Sequence, residues 1–103
     1  MVGDRIELVI EGLVWDFGPR GNASHLAAHD VLPDDVEAVR RNRYLIFENL
    51  PGHRGTHVMI GRDARPRSLY ISLEATNEPG VWSPVTGWRS RLAHAILQRE
   101  GYI

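Results

Sequence analysis

Four apolar, partly alternating runs follow one another through the second half of the chain, and they constrain its fold more than any other feature. They lie at Tyr44–Phe47, His57–Ile60, Leu69–Leu73 and Val81–Thr86. Short segments rich in Gly, Pro, Asn and Asp separate them, which is typical of turns. Because strands joined by short turns pair antiparallel, we predict an antiparallel sheet of four to five strands. Pro84 in the last run indicates a sheet edge or a bulge.

Helical patterns precede and follow these strands. Asn22 is a suitable N-cap for a short helix that runs through His29. Pro33 fits the first turn of a second helix, with acidic residues near its positive end. A third helix with one apolar face is predicted from Arg89 to Glu100, and Gly101 would end it. Strands this short cannot enclose a core alone, so we expect the helices to cover one face of the sheet.

A further strand is predicted at Ile6–Ile10, with residues 1–12 as an N-terminal strand extension. The predicted order is β-α-α-β-β-β-β-α, an α+β fold in one domain over residues 1–103. A length of 103 residues, 43% of them hydrophobic and 24% charged, fits one core. No apolar run approaches the roughly 18–20 residues that span a bilayer, and the first residues lack a secretory signal pattern. We therefore expect a cytoplasmic protein without a membrane partner.

The charge is divided unevenly along the chain. Residues 1–37 carry eight acidic residues and two arginines, a net charge of −6, whereas residues 38–103 carry ten arginines and five acidic residues, a net charge of +5. Such a division is typical of a basic face that binds phosphate, but it also fits a mixed surface that evens out on folding. The sequence leaves both interpretations open.

Several segments, in order, resemble the BrnT-type toxins of bacterial toxin–antitoxin systems. The resemblance covers about Leu13 to Tyr102. It departs from the family pattern at Ala28, where the family has lysine, at Asp30, where it has glycine, and at Trp88, where it has arginine. The segments that carry the resemblance are Leu13-Val14-Trp15-Asp16, Asn22, His25–Val31, Pro33–Val39, Ile60-Gly61-Arg62-Asp63 and Gly80–Gly87.

The resemblance implies a RelE-like fold, metal-independent cleavage of RNA and a cognate antitoxin protein that neutralises the chain. DNA would be contacted only indirectly, through that antitoxin. His29 and Arg62 match two family positions. The missing lysine at Ala28 keeps an alternative open, in which the same scaffold is a non-catalytic RNA- or protein-binding module.

Metal-free RNA cleavage needs groups that move protons and cations that stabilise the charge on phosphorus. Histidine serves as acid or base near neutral pH, and arginine stabilises phosphorane oxygens. His25 and His29 would lie on one helical face, and Arg62 shares strand parity with the core residues Val58 and Ile60. The predicted catalytic residues are His29, Arg62, His25 and Arg89, with His29 and Arg62 in one exposed cleft.

Predicted RNA-binding residues are Arg91, Trp88, Arg40, Arg41 and Arg43. Trp88 would stack on a base, although a tryptophan beside a helix start also fits the core. The three arginines that end the second helix would contact RNA or an acidic segment of a partner, or simply be solvated there.

We predict no cofactor and no metal. The absence of cysteine excludes thiolate ligands and disulfides. Four histidines, at 25, 29, 53 and 57, are the ligand types that zinc prefers. However, His53 and His57 straddle a turn and a strand, and the first pair lacks the Glu of a His-Glu-x-x-His motif.

Overall fold

The structure is a computed structural model that describes residues 1–103. A single six-stranded sheet lies between helices on its two faces. The strands are β1 (Arg5–Ile6), β2 (Gly12–Leu13), β3 (Tyr44–Glu48), β4 (His57–Arg62), β5 (Ser68–Ala75) and β6 (Val81–Arg89), and the helices are α1 (Asn22–Ala27), α2 (Pro33–Arg41) and α3 (Arg91–Arg99).

The centre of the sheet is the predicted antiparallel run of β3, β4, β5 and β6. A shift in register between Ser72 and Leu73 lies opposite Pro84, which confirms the bulge. The strand count differs from the prediction, since β1 pairs antiparallel with β3 and β2 pairs parallel with β6. The sheet is therefore mixed and has six strands, in the order β1-β3-β4-β5-β6-β2.

Residues 7–11 cross the sheet from β1 at one edge to β2 at the other. Ile10 is buried, at 3% exposure, and its N–H donates to the Tyr44 hydroxyl at 2.8 Å. The predicted strand at Ile6–Ile10 is therefore wrong, because only Arg5–Ile6 pairs as a strand there. The alternation that suggested a strand reflects an extended segment lying across the sheet, with Ile6, Leu8 and Ile10 packed against the core.

Both faces of the sheet are covered, which corrects the expectation that the helices cover one. Leu26 of α1 and Val36 and Val39 of α2 pack on one face, in a cluster of 11 buried residues. On the other face, a second cluster of eight buried residues joins Ala93, Ile96 and Leu97 of α3 to β3, β4 and β5. The α+β class is confirmed, and β4 and β5 bury side chains on both faces.

The first helix begins differently from the prediction. Gly21 is the N-cap of α1, not Asn22, and α1 ends at Ala27, so the predicted helix through His29 is too long and His29 lies in the following turn. The Asn22 side chain instead donates to the carbonyls of Val14 at 3.0 Å and Pro84 at 2.9 Å, and accepts from the Asp16 N–H at 2.8 Å. Asn22 therefore fastens the start of α1 to both the preceding loop and β6.

The ends of the other helices largely follow the sequence signals. Pro33 begins α2, and the Asp35 carboxylate accepts from the Leu32 N–H at 2.8 Å. Gly101 follows α3 with a positive φ of 76°, which suits glycine. However, β6 continues through Arg89, and Ser90 caps α3 by accepting from the Ala93 N–H at 3.1 Å. No helix is long and apolar enough to cross a membrane.

Candidate anion-binding site

The ends of three neighbouring strands and the start of α3 meet at one edge of the fold. Arg62, the last residue of β4, pairs with Ser68, the first residue of β5. The N–H of Ser90, which follows β6, donates to the Ser68 carbonyl at 3.0 Å. These residues enclose an open groove of about 1060 Å³, lined by five arginines and no carboxylate. We call it the arginine groove; its lining is Arg62, Arg65, Pro66, Arg67, Ser68, Arg89, Ser90, Arg91 and His94.

The five arginines of the groove fall into two groups. Arg65 and Arg67 form salt bridges with carboxylates outside the groove. Arg62 donates only to the neutral Pro66 carbonyl, at 2.7 and 3.2 Å. Arg89 and Arg91 are exposed and have no salt-bridge partner. Three positive charges in the groove therefore have no carboxylate partner, which favours an anionic ligand.

The Asp63 clamp, as we name the cluster of Asp30, Asp35, Asp63, Arg65 and Arg67, holds the turn that forms one wall of the groove. The side chain of Asp63 is 0% exposed and accepts from the backbone N–H of Arg67 at 2.6 Å and its Nε at 2.8 Å. Burial alone would raise the pKa of Asp63, but the hydrogen bonds from Arg67 and Arg65 outweigh it and lower the pKa below its usual value. The clamp therefore holds a charged carboxylate inside the protein and fixes the turn around it.

The Asp63 clamp also joins this turn to the loop between α1 and α2. The carbonyl of Asp30, whose φ is 58°, accepts from Arg65 at 2.9 Å and from Arg67 at 2.8 Å. The Asp35 carboxylate lies 3.0 Å from Arg65 and 3.2 Å from Arg67. The wall of the arginine groove is thus fastened to the helical layer on the other side of the sheet.

The imidazole that lines the groove is His94, which the sequence analysis did not select. Its Nδ1 lies 3.2 Å from the Ser68 hydroxyl, so this side chain is held in place while its residue stays exposed. One sequence signal could have found it, because Arg91 and His94 are three residues apart and share a helical face.

His25 of α1 and His29, which lies in the turn after α1, belong to a different cluster. The ring of His29 is 5.7 Å from His25 and 6.4 Å from Trp88, and Trp88 stacks on Tyr70 at 4.7 Å with an angle of 18°. Neither histidine lines the arginine groove. The structure therefore does not support the expected cleft shared by His29 and Arg62. His29 is exposed and Arg62 is partly buried.

Hydrogen bonds and burial define the chemical state of this second cluster. The Nε2 of His25 lies 3.2 Å from the Thr86 hydroxyl and 3.4 Å from a guanidinium nitrogen of Arg54. Burial raises the pKa of Tyr70 above its usual value, so its hydroxyl stays protonated and donates to Asn49 at 3.4 Å. The cluster offers aromatic and imidazole surface near the end of β6, where Trp88 directly precedes Arg89 but projects from the opposite face of the strand.

The structure places the remaining predicted residues apart from the groove. Arg40 bridges to Glu37 at 2.7 Å, and the guanidinium of Arg43 lies 3.9 Å over the ring of Tyr102. Arg41 is exposed at the end of α2. None of the three lines the arginine groove, and Arg40 and Arg43 make separate local contacts.

The histidines do not gather around a common point. No group of three or more His, Cys, Asp or Glu side chains is arranged to hold a metal ion. The ring of His57 packs against Trp82 at 4.9 Å. Asp16 caps the turn after β2 by accepting from the Gly18 N–H at 2.9 Å.

Together these features define a small α+β protein with an arginine-lined, carboxylate-free groove at the ends of three strands. Comparison of the chain with family models, with curated proteins and with solved structures gives no match in any of the three. What the chain does is therefore inferred from the chemistry of the groove and its surroundings.

Proposed function

We propose that this chain is a toxin-like RNA endonuclease that binds the RNA backbone in the arginine groove and cleaves it without a metal. The observation that carries the proposal is the placement of Arg89 and Arg91, which have no salt-bridge partner, in one groove with Arg62 and His94. Guanidinium groups bind phosphate through paired hydrogen bonds, and an imidazole can move a proton near neutral pH.

The reaction that fits this set of groups is internal transesterification. The 2′-oxygen of a ribose attacks the adjacent phosphorus while the bond from phosphorus to the 5′-oxygen breaks, leaving a 2′,3′-cyclic phosphate and a 5′-hydroxyl. His94 would accept the proton of the 2′-hydroxyl, with its ring held by Ser68. Arg62, Arg89 and Arg91 would stabilise the negative charge that gathers on the phosphorane oxygens. Water supplies the proton that the departing 5′-oxygen takes up.

The proposed biological setting follows from the sequence resemblance to BrnT-type toxins and a RelE-like fold. A toxin-like nuclease would be neutralised by a cognate antitoxin, and it would reach DNA only through that partner. Induced expression of the chain alone should then arrest growth, and co-expression of the product of a neighbouring small gene should restore it.

Cleavage is tested with end-labelled single-stranded RNA in the presence of a metal chelator. We expect cleavage products that end in a cyclic phosphate. His94→Ala should lower the cleavage rate roughly 10²- to 10⁴-fold while RNA binding is kept. Arg89→Ala should weaken binding and reduce its dependence on salt, whereas the matched control Arg41→Ala, an exposed arginine outside the groove, should do neither.

His29→Ala and Arg62→Ala test the residues chosen from sequence. The proposed geometry predicts that Arg62→Ala slows cleavage and that His29→Ala acts on RNA binding rather than on the chemical step. A wild-type chain that leaves RNA intact, together with unchanged RNA binding by Arg89→Ala, would show that the groove is not a nuclease site.

A second candidate function is a non-catalytic RNA-binding module. It is favoured by the observation that the groove holds one imidazole, because His25 and His29 lie outside its lining. In that case wild-type RNA binding would depend on Arg89 and Arg91, but no cleavage would be detected and His94→Ala would have no effect on RNA.

A further inference from the structure

The cluster of His25, His29, Tyr70 and Trp88 lies outside the arginine groove, and the phosphate chemistry proposed for the groove does not use it. Trp88 and Tyr70 are cross-strand partners and lie on the same face of the sheet as Ile60. Their rings are nearly parallel, so one face of the indole is covered by Tyr70. The Trp88 residue nevertheless remains 39% exposed.

We infer that Trp88, supported by Tyr70 and flanked by His29, forms a shelf that stacks one unpaired RNA base beside the arginine groove. This inference rests on the proposed function and names the substrate class as single-stranded RNA. Trp88 and Arg89 are consecutive residues of β6, so their side chains leave opposite faces of the strand, and one RNA strand would pass over the end of β6 to place a base on the shelf and a phosphate in the groove.

Three features of the shelf favour a base over another planar or anionic ligand. Tyr70 holds the indole in place, so little side-chain freedom is lost when a second ring stacks on it. The imidazole of His29, tilted by 57° to the indole, presents ring nitrogens beside it that can bond a base edge. Arg54 and His25 border the same cluster, with a guanidinium nitrogen 3.4 Å from the His25 Nε2. Cationic and hydrogen-bonding groups around an aromatic surface are what single-stranded nucleic acid requires.

The inference predicts that binding depends on the bases as well as on the phosphates. A base inside a duplex is stacked and paired on both sides, so it cannot lie on the shelf. The chain should therefore bind single-stranded RNA more tightly than the same RNA annealed to its complement. An abasic ribose-phosphate oligomer of equal length, which keeps the charge but lacks the rings, should bind roughly 5- to 150-fold more weakly than the intact RNA.

The test measures the affinity of the full chain for these three oligomers at one salt concentration. Trp88→Leu should weaken binding of single-stranded RNA by the same factor and leave binding of the abasic oligomer unchanged. Trp88→Phe keeps an aromatic ring and should restore most of the affinity. Unchanged binding of the abasic oligomer also shows that both variants are folded, since the arginine groove would still be formed.

The outcomes separate failure of the shelf from failure of the groove. If the wild type binds intact and abasic oligomers equally well, and Arg89→Ala weakens both, the groove proposal stands and the shelf is wrong. If no oligomer binds, or if Arg89→Ala has no effect on any of them, the proposed function is wrong and the shelf inference with it. The chain also has Trp15 and Trp82, so the result that would contradict the shelf is quenching of tryptophan fluorescence by RNA that is undiminished in Trp88→Leu.

Discussion

Replacing Asp63 with asparagine tests the central claim that a buried carboxylate holds the wall of the arginine groove. The amide has nearly the same shape, so it leaves little empty space and can still accept through its remaining oxygen. What it removes is the negative charge and the second acceptor. Arg67, whose side chain is 12% exposed, would then direct its guanidinium at an amide NH₂ instead of a carboxylate.

The expected loss of stability follows from the contacts that remain. Removing one partner of a buried ion pair costs about 3–5 kcal/mol, because the other charge stays buried without compensation. Arg67 keeps Asp35 at 3.2 Å in addition to the carbonyl of Asp30 at 2.8 Å, so the lower end of this range applies. We expect Asp63→Asn to lower the free energy of unfolding by about 3 kcal/mol. Since small domains are stable by about 5–15 kcal/mol, the variant should still fold.

Urea unfolding followed by circular dichroism measures this change. With a slope of about 2 kcal/mol per molar urea, the midpoint should fall by roughly 1.5 M. Asp30→Asn is the matched control, since its carboxylate contacts the same two arginines at 3.4 Å but is 74% exposed. That variant should lose less than about 1 kcal/mol, as exposed ion pairs contribute little.

The reasoning is refuted if the two aspartates have equal effects. A loss below about 1 kcal/mol for Asp63→Asn would mean that desolvation of the carboxylate already cancels its pairing with Arg67. A variant that keeps full stability but loses RNA binding would show that Asp63 acts on the groove by a route other than holding its wall.

Three further predictions concern pH and packing. Because the pKa of Asp63 is lowered in the folded state, its ionised carboxylate adds stability that is complete above about pH 4 and is lost as the pH falls through the folded-state pKa. The difference in unfolding free energy between wild type and Asp63→Asn should therefore be smaller at about pH 3 than at about pH 7. An equal difference at the two pH values would contradict the pairing of Asp63 with Arg67. Gly61→Ala should cost about 1–3 kcal/mol in urea unfolding, because its Cβ would lie 2.7 Å from Val39 and 2.8 Å from the Arg43 carbonyl, and wild-type stability would disprove this close packing. Asn22→Ala removes four side-chain hydrogen bonds, one of them long at 3.5 Å, and should cost about 2–3 kcal/mol, measured as a lower melting temperature. A loss no larger than that of a surface alanine substitution would show that Asn22 is not a fastening point.

The centre of the sheet was predictable because its signals are local. Alternating apolar residues and turn residues specify β3 to β6 without reference to the rest of the chain, and the start of α2 at Pro33 is equally local. The path of residues 7–11 could not be predicted from local signals, because an extended segment lying on a sheet buries every second residue, as an edge strand does. The two-sided packing was missed for a related reason, because the pattern of α3 shows an apolar face but not which side of the sheet it covers.

The candidate site divides in the same way. Arg62, Arg89 and Arg91 were singled out by their positions at element ends, and the structure brings all three to one groove. His94 was not selected from the sequence, because its contact with Ser68 joins residues 26 apart and depends on how α3 folds back from β6. The spacing of His25 and His29 predicted one helical face, but α1 ends at Ala27, so His29 lies in the following turn, near Trp88 and outside the lining of the groove.

The uneven charge of the chain has a structural explanation that combines the two interpretations left open by the sequence. Asp30 and Asp35 belong to the acidic first part of the chain, and they pair with Arg65 and Arg67 of the basic second part. This pairing neutralises charge, as a mixed surface would, but among the arginines of the groove it involves only Arg65 and Arg67. The arginines across the groove have no such partners, so the acidic segment fixes the shape of the groove without neutralising the charge that an anion would meet there. A chain that lacked Asp35 of α2 would be more basic, yet by this argument it would bind phosphate less well, because its ion pairs with Arg65 and Arg67 would no longer hold the wall of the groove.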